Sequence, residues 1–508
     1  MPNQDLVPQS SIATSEKRPS GELPTIQNDT SSPTAPESVA AAYCVYERKT
    51  KWALVAMVAI SGFFSPFPAN IYFPAMPTLA KTFNVSLASI DLTVTIYLVM
   101  QGVSPMLWGP LSDRYGRRPI FLICLAILVA SCIGLALTPT NAYWLLLLLR
   151  AIQAGGCAST IALGAGVIGD ISTPQERGGF FGMFNLGPML APCIAPVLGG
   201  ALSEGLGWRS IFWFLTISAA ACFAMIALLL PETLRNLVGN GSIAPPNVLH
   251  HAWWKVIRVG TLKPMTDSGM VAGRPSPNVL KLLVYPDVLL TLFYTGVVYA
   301  VNYTITATIS SSFANIYPEL STTSIGLCYL ATGGGMILGS SLTGKLLDLE
   351  YVRIKKRRNR CGAESDEARI GFPIEKARLR LMPILLIIFL GCVISWGWCL
   401  KKRISIAGPL VLQFILGYTS IAILNATMTL MIDILPAQSS GIIACTNLVR
   451  CSLAAVLVSV IDRSTNSIGY AWTYVILGGL CLFLLPLMYV EMSHGPQWRM
   501  RRDLNQSQ

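Results

Sequence analysis

From about residue 52 the chain repeats one pattern: some 20 apolar residues, a short polar break, then another apolar run. A helix of that length crosses the roughly 30 Å hydrocarbon core of a bilayer at about 1.5 Å per residue. Twelve spans are predicted: about 52–72, 88–109, 120–138, 143–169, 179–203 and 210–230, then 287–311, 323–347, 381–400, 407–432, 438–461 and 469–490. Residues 1–47 are rich in Ser, Thr, Pro and Gln and lack periodicity, which predicts a disordered tail; no apolar core follows a short basic start, so no signal peptide is expected. The polar stretch between the sixth and seventh spans carries "GNGS", "APP" and "GRPSP", the composition of a flexible joint. The predicted organisation is an N-tail at 1–50, a six-helix bundle at 51–230, a cytoplasmic connector at 231–286, a second six-helix bundle at 287–491 and a cytoplasmic C-tail at 492–508.

Composition agrees. The chain is 53% hydrophobic and 12% charged with a mean hydropathy of +0.56, about half the charged fraction of a soluble domain. A net charge of +12 taken alone points toward nucleic acid, but the cations lie in the breaks between spans, where they set topology and meet anionic lipid. Of 37 Lys and Arg, 29 fall in the tails and even-numbered loops and six in the odd-numbered loops, which places both termini in the cytoplasm. Only "KKR" at Lys401–Arg403 dissents. Most of the thirteen cysteines sit inside apolar spans, where a thiol behaves as a small hydrophobe. His250 and His251 are adjacent rather than spaced as ligands, and no dinucleotide, phosphate-loop or nucleophile motif stands in context. No metal, no cofactor, no nucleic acid and no enzymatic reaction are expected.

Between spans 2 and 3 lies "GPLSDRYGRRP". As a bare topological anchor it would need only positive charge. Its spacing, Gly109-x3-Asp113-Arg114-x-Gly116-Arg117-Arg118, is more specific. Gly109 would let a neighbouring helix approach, Asp113 would face the N-terminal dipole of span 11 near Gln438, and Arg117 would pair with Asp170. Together they would latch the two bundles on the inside. The second bundle echoes this: "GKLLDLEYVRIKKR" puts Gly344 and Asp348 in the same relation, and "IDIL" places Asp433 opposite the Asp170 of "GDIS".

This loop resembles the signature of the major facilitator superfamily, and three further stretches extend the resemblance. "RAIQAGG" in span 4 (Arg150, Gln153) is similar to the family's second signature, with Ala154 in place of a glycine. Span 5 is similar to the antiporter signature at Gly182, Pro196, Gly199 and Gly200, with Ala191 and Ala195 replacing two glycines. "YFPAMP", "GWRSIFWFL", "LLPETLR", "FPIEKARLR" and "TNLVRC" are similar to the fungal branch of the twelve-span drug:proton antiporters, the group of quinidine-resistance transporters and a citrate exporter. The resemblance covers about residues 50–495 and implies an all-α membrane protein of two pseudo-symmetric six-helix bundles. It also implies alternating access and proton-coupled export.

Charges narrow the substrate. Every acid near a span lies at an end of it, whereas Arg150 is inside span 4 and Arg450 lies about 18 Å into span 11, near the midplane. Arginine suits a carboxylate through its bidentate fork, while a carrier of organic cations wants a buried acid. Gln153, Asn185, Asn302, Gln413, Asn425 and Asn447 are expected along the substrate or proton path with the two arginines, and Asn70, Tyr72, Gln101 and Tyr303 could shape the cavity. The expected function is export of an organic acid or secondary metabolite across the plasma membrane by a monomeric proton antiporter. Multidrug efflux of amphipathic cations is the alternative, and a nutrient-sensing transceptor or a membrane enzyme has less behind it. Asn84, in "NVS" of the first external loop, is the expected glycan acceptor.

Overall fold

The computed structural model describes residues 44–173, 176–243, 245, 248–252, 279–360, 374–435 and 439–507. The predicted disordered tail, most of the connector and Gln438 therefore lie outside the described residues. Twelve helical spans follow the predicted order: α1 (Arg48–Phe83), α2 (Leu87–Tyr115), α3 (Arg117–Leu137), α4 (Tyr143–Ile171), α5 (Gly178–Leu206) and α6 (Arg209–Leu229), then α7 (Pro286–Ile316), α8 (Thr322–Ile354), α9 (Met382–Lys402), α10 (Ala407–Ile434), α11 (Gly441–Ile468) and α12 (Tyr470–Arg502). Exposed side chains such as Ile217 and Ile476 form an apolar outer surface suited to lipid.

Three spans depart from the predicted lengths. α1 is helical at Arg48–Phe63 and then breaks into short turns before Met76–Phe83, because Pro66, Pro68, Pro74 and Pro77 cannot donate to the helical ladder. The carbonyls of Pro68 and Pro74 turn to other helices, accepting from Arg150 (3.1 Å) and Ser310 (3.4 Å). α8 runs on as helix to Arg360, and the C-tail is helical to Ser507. That tail is docked. Arg502 pairs with Asp287 at 2.6 Å, both nearly fully buried, and Arg499 reaches Glu375 at 3.4 Å.

The first six spans form one bundle and the second six another. They meet chiefly where α2 packs on α11 and α5 on α8. Lipid supplies no hydrophobic push between helices, so such crossings depend on small residues that let backbones touch. A Cβ on Gly102 would stand 3.1 Å from Cys451 and 3.5 Å from the Leu448 backbone, and one on Gly200 would stand 2.7 Å from the Thr322 carbonyl. Gly199 lies just as tightly against the Ile71 carbonyl of α1. The expectation for Gly109 is corrected here, since a Cβ there meets nothing within 4 Å, as at Gly182 and Gly344. Gly102, about two turns earlier, takes the close approach at the α2–α11 crossing.

Candidate functional site

Two arginines enter the interior from opposite halves. Arg150 of α4 is fully buried, with its guanidinium over the rings of Tyr72 (4.2 Å) and Tyr97 (4.5 Å). One of its terminal nitrogens donates to the Pro68 carbonyl and to Gln153 Oε1 (2.6 Å). Its Nε and second terminal nitrogen have no partner. Arg450 of α11 is half-buried over Tyr299 at 4.8 Å and donates from Nε to Asn447 Oδ1 at 3.0 Å. Asn447 in turn donates across the halves to the Gln101 carbonyl of α2 at 2.8 Å. Tyr299 and Tyr303, one turn apart on α7, continue the aromatic wall, with ring centroids 5.7 Å apart. Phe73 of α1 packs on Tyr303 and Tyr329.

Among the described residues neither arginine meets a carboxylate within ion-pair distance. Arg150 Nε and Nη2 and the Gln413 amide nitrogen are buried donors without a hydrogen bond among the described residues, Gln101 Oε1 is a buried acceptor without one, and the Tyr303 and Tyr329 hydroxyls, which can serve as either, are unbonded too. A buried donor left unpaired costs about 1–3 kcal/mol.

Gln153 and Asn447 join this site as expected, and Asn302 is buried on α7 one residue before Tyr303. Gln413 faces Thr332, and Asn425 donates to Ser340, so both hold α10 to α8. Asn185 is exposed on α5 and is not brought to the arginines by any described contact. The aromatic partners Tyr97 and Tyr299 escaped the sequence reading. Each is an ordinary span tyrosine, far in sequence from the arginine it covers.

At the end of the bundle where α1 starts and α12 finishes, here the terminal end, the signature loop forms its own cluster. Arg117 Nε bonds Asp170 at 3.0 Å, as expected, and its guanidinium also meets Asp113 at 2.6 Å. Glu232, at the end of α6, accepts the backbone N–H of Arg117 (2.9 Å) and Arg118 (3.3 Å), and those of Thr233 and Leu234. It thereby caps α3. Arg118 donates to the carbonyls of Ala227 and Leu249, whereas Arg114 is exposed over Tyr115. Gly116 supplies the turn, at φ +107°. In the second half Arg378 bonds Asp433 at 2.9 Å; the Asp348 side chain lies outside the described ones.

Gln438 and the side chains leading into α11, which the expected latch engages, lie outside the described residues. Among the described residues the ion pairs of the terminal end, including Lys51–Glu176 and Arg380–Glu350, stay within one half. Polar contacts between halves lie at the midplane (Asn447–Gln101) and at the opposite, distal end, where Thr323 N donates to Glu204 at 2.7 Å and Ser310 to Pro74.

Residues 58–459 match the Major Facilitator Superfamily. Citrate exporter 1 of Aspergillus niger is 35% identical over 90% of this chain and 88% of its own length. MFS antiporter QDR1 of Candida albicans is 33% identical over 89% of each chain. The probable transporter AQR1 of Saccharomyces cerevisiae is 33% identical over 92% of this chain and 80% of its own. Among solved structures, a bacterial homologue of the human lysosomal transporter Spinster, inward-facing and unoccupied, superposes with a TM-score of 0.60 at 14% identity, covering 90% of this chain and 99% of that one.

Proposed function

The chain belongs to the major facilitator superfamily of membrane transporters, and we propose that it exports an organic anion, in exchange for protons, across the plasma membrane with both termini in the cytoplasm. The observation that carries this reading is the pair of arginines without a carboxylate, set among unbonded donors. A guanidinium stays charged even when buried, so the interior repels cations and holds a carboxylate by a charge-assisted pair. Citrate exporter 1 is a relative whose named cargo has that chemistry.

Alternating access gives the two ends complementary roles. Here the polar contacts between halves among the described residues lie at the midplane and the distal end, and the ion pairs of the signature loop lie within its own half. In the opposite state Asp113 would turn to the start of α11, and the loop would become the inner latch. Gly199 and Gly200 let α5 bear on both α1 and α8 in this state. Asn84, exposed in a left-handed conformation in the first distal loop, is the glycan acceptor of this topology; its removal as Asn84→Gln should abolish any endoglycosidase-sensitive gel shift.

The test is efflux of labelled citrate and of a lipophilic cation from cells expressing the parent or variants at matched surface level. A charge-assisted pair is worth roughly 1.5–3 kcal/mol, or about 10- to 150-fold in affinity. Arg450→Ala should lose that much for citrate, and Arg450→Lys less. A second reading, efflux of amphipathic cations, is favoured by the aromatic wall of Tyr72, Tyr97, Tyr299 and Tyr303 and by the multidrug relatives. Strong cation efflux unaffected by Arg450→Ala would establish it instead.

A further inference from the structure

One buried acid at the distal end has no place in the site above. Asp91, on α2, is only 7% exposed, and among the described residues no hydrogen bond or ion pair reaches its carboxylate. Several other enclosed acids differ: Asp170 has Arg117, Asp287 has Arg502, and Glu232 has four backbone N–H groups, while Glu491, at the terminal end, also lacks a hydrogen bond among the described residues. A lone carboxylate inside a span is costly, and it persists where water or a proton can reach it.

A polar cavity lies close by. Leu87, one turn above Asp91 on the same face of α2, lines a polar cavity of about 200 Å³ at the distal end, together with Asp462 of α11, Thr308 of α7 and Tyr470 of α12. One turn below Tyr470, Tyr474 bonds its hydroxyl to Thr308 at 2.9 Å. The titratable groups that act on Asp91, or feel its charge, from the packed elements are Asp462, Tyr474 and Tyr72. Tyr72 accepts a hydrogen bond from Thr93 at 3.0 Å and lies against the Arg150 guanidinium. Asp91 thus lies one turn along α2 from a residue of this polar cavity, and its charge is felt at Tyr72, which lies against Arg150.

We propose that Asp91 is the proton-binding site of the exchange, loaded from the distal solution through the cavity at Asp462. The inference rests on the proton-coupled part of the reading above and assigns that part to a residue. A proton leaves water in the vestibule, binds one carboxylate oxygen and is released on the other side of the membrane; no covalent step is involved.

The test uses the full chain in liposomes, with labelled citrate as probe and a gradient of one pH unit, acid on the distal side. Such a gradient supports about tenfold accumulation per exchanged proton. The parent should accumulate citrate, Asp91→Asn should abolish accumulation while still exchanging labelled for unlabelled citrate, and Asp91→Glu should restore it. Accumulation by Asp91→Asn at the parental level overturns the proposal. So does loss of exchange and accumulation together without rescue by Asp91→Glu, which marks a structural residue. A parent that exchanges citrate but never accumulates it overturns the proton site and leaves the anion reading standing. If a lipophilic cation is the only substrate carried, and Asp91→Asn abolishes its proton-driven accumulation, the proton site stands and the anion reading falls.

Discussion

The two halves solve the same problem at the terminal end with different parts. In each, an arginine before the third or ninth span bonds an acid at the end of the fourth or tenth: Arg117 with Asp170, 53 residues apart, and Arg378 with Asp433, 55 apart. In each, the last span also ends on a glutamate. Glu232 of the first half is satisfied by four backbone N–H groups. Glu491 of the second half is fully buried, and neither of its oxygens has a hydrogen-bond partner. Glu375 and Asp287 are buried with it, and the cations of the cluster, Arg499 and Arg502, come from the C-terminal helix. The first half neutralises its acid with backbone that must be there anyway. The second depends on side chains from the end of the chain.

The largest test of this contrast is Arg502→Ala. Breaking a buried pair costs about 3–5 kcal/mol, because the acid left behind stays buried. The variant should lose most of its thermal stability in detergent, read by fluorescence-detected gel filtration. Lys51→Ala, which breaks the half-exposed Lys51–Glu176 pair of the first half, should cost less than about 1 kcal/mol. Equal losses would remove the distinction.

Next comes the backbone device of the first half. Gly116 combines φ +107° with ψ 151°, a region open only to glycine, and its α-carbon faces Glu232 and His250. Gly116→Ala should cost about 1–3 kcal/mol and misplace the cap on α3, lowering melting temperature and transport together. A variant as stable as the parent would show that the Glu232 cap does not depend on this turn.

A smaller effect is expected when the two bridges are compared. Asp170 and Arg117 are each about 13% exposed, whereas Asp433 is 31% exposed. Asp170→Asn should therefore destabilise the protein more than Asp433→Asn, by roughly 1 kcal/mol. Parallel melting curves of the two variants decide it, and a reversed order would make the second bridge the stronger one.

The smallest effect is a pH dependence confined to the second half. Burial above all, with Asp287 in addition, pushes the Glu375 carboxyl up against the pull of Arg499 and Arg502. The folded state then holds this proton more tightly than the unfolded chain does. Its contribution to stability is complete below the ordinary value of 4.5 and is lost as pH rises through the folded value. Glu375→Gln should flatten the decline in melting temperature as pH rises above 4.5, and an unchanged slope would place the titration elsewhere.

Much of this molecule was legible before any coordinates. Twelve spans, two six-span halves and the Arg117–Asp170 pair follow from runs of about 20 apolar residues and from a loop motif with fixed spacing. The arginines could be read as functional because a membrane span seldom tolerates a charge without a purpose. What sequence reasoning misjudged has a common character. Gly109 and Gly182 are glycines of the recognised motifs, yet Gly102 makes the close approach at the α2–α11 crossing. The C-terminal residues look like a short charged tail, yet Arg502 is buried against Asp287, 215 residues earlier.

The sequence by itself determined which segments enter the bilayer and which charges enter with them, because transfer from water to lipid is set residue by residue along a run. Only the tertiary structure decided which tyrosines sandwich Arg150, that Glu232 caps α3 while Glu491 has no hydrogen bond among the described residues, and that Asp91 is buried one turn from a residue of a polar cavity. Those outcomes depend on which helices touch and at what height. Contacts between segments hundreds of residues apart leave no period or spacing in the chain from which to read them.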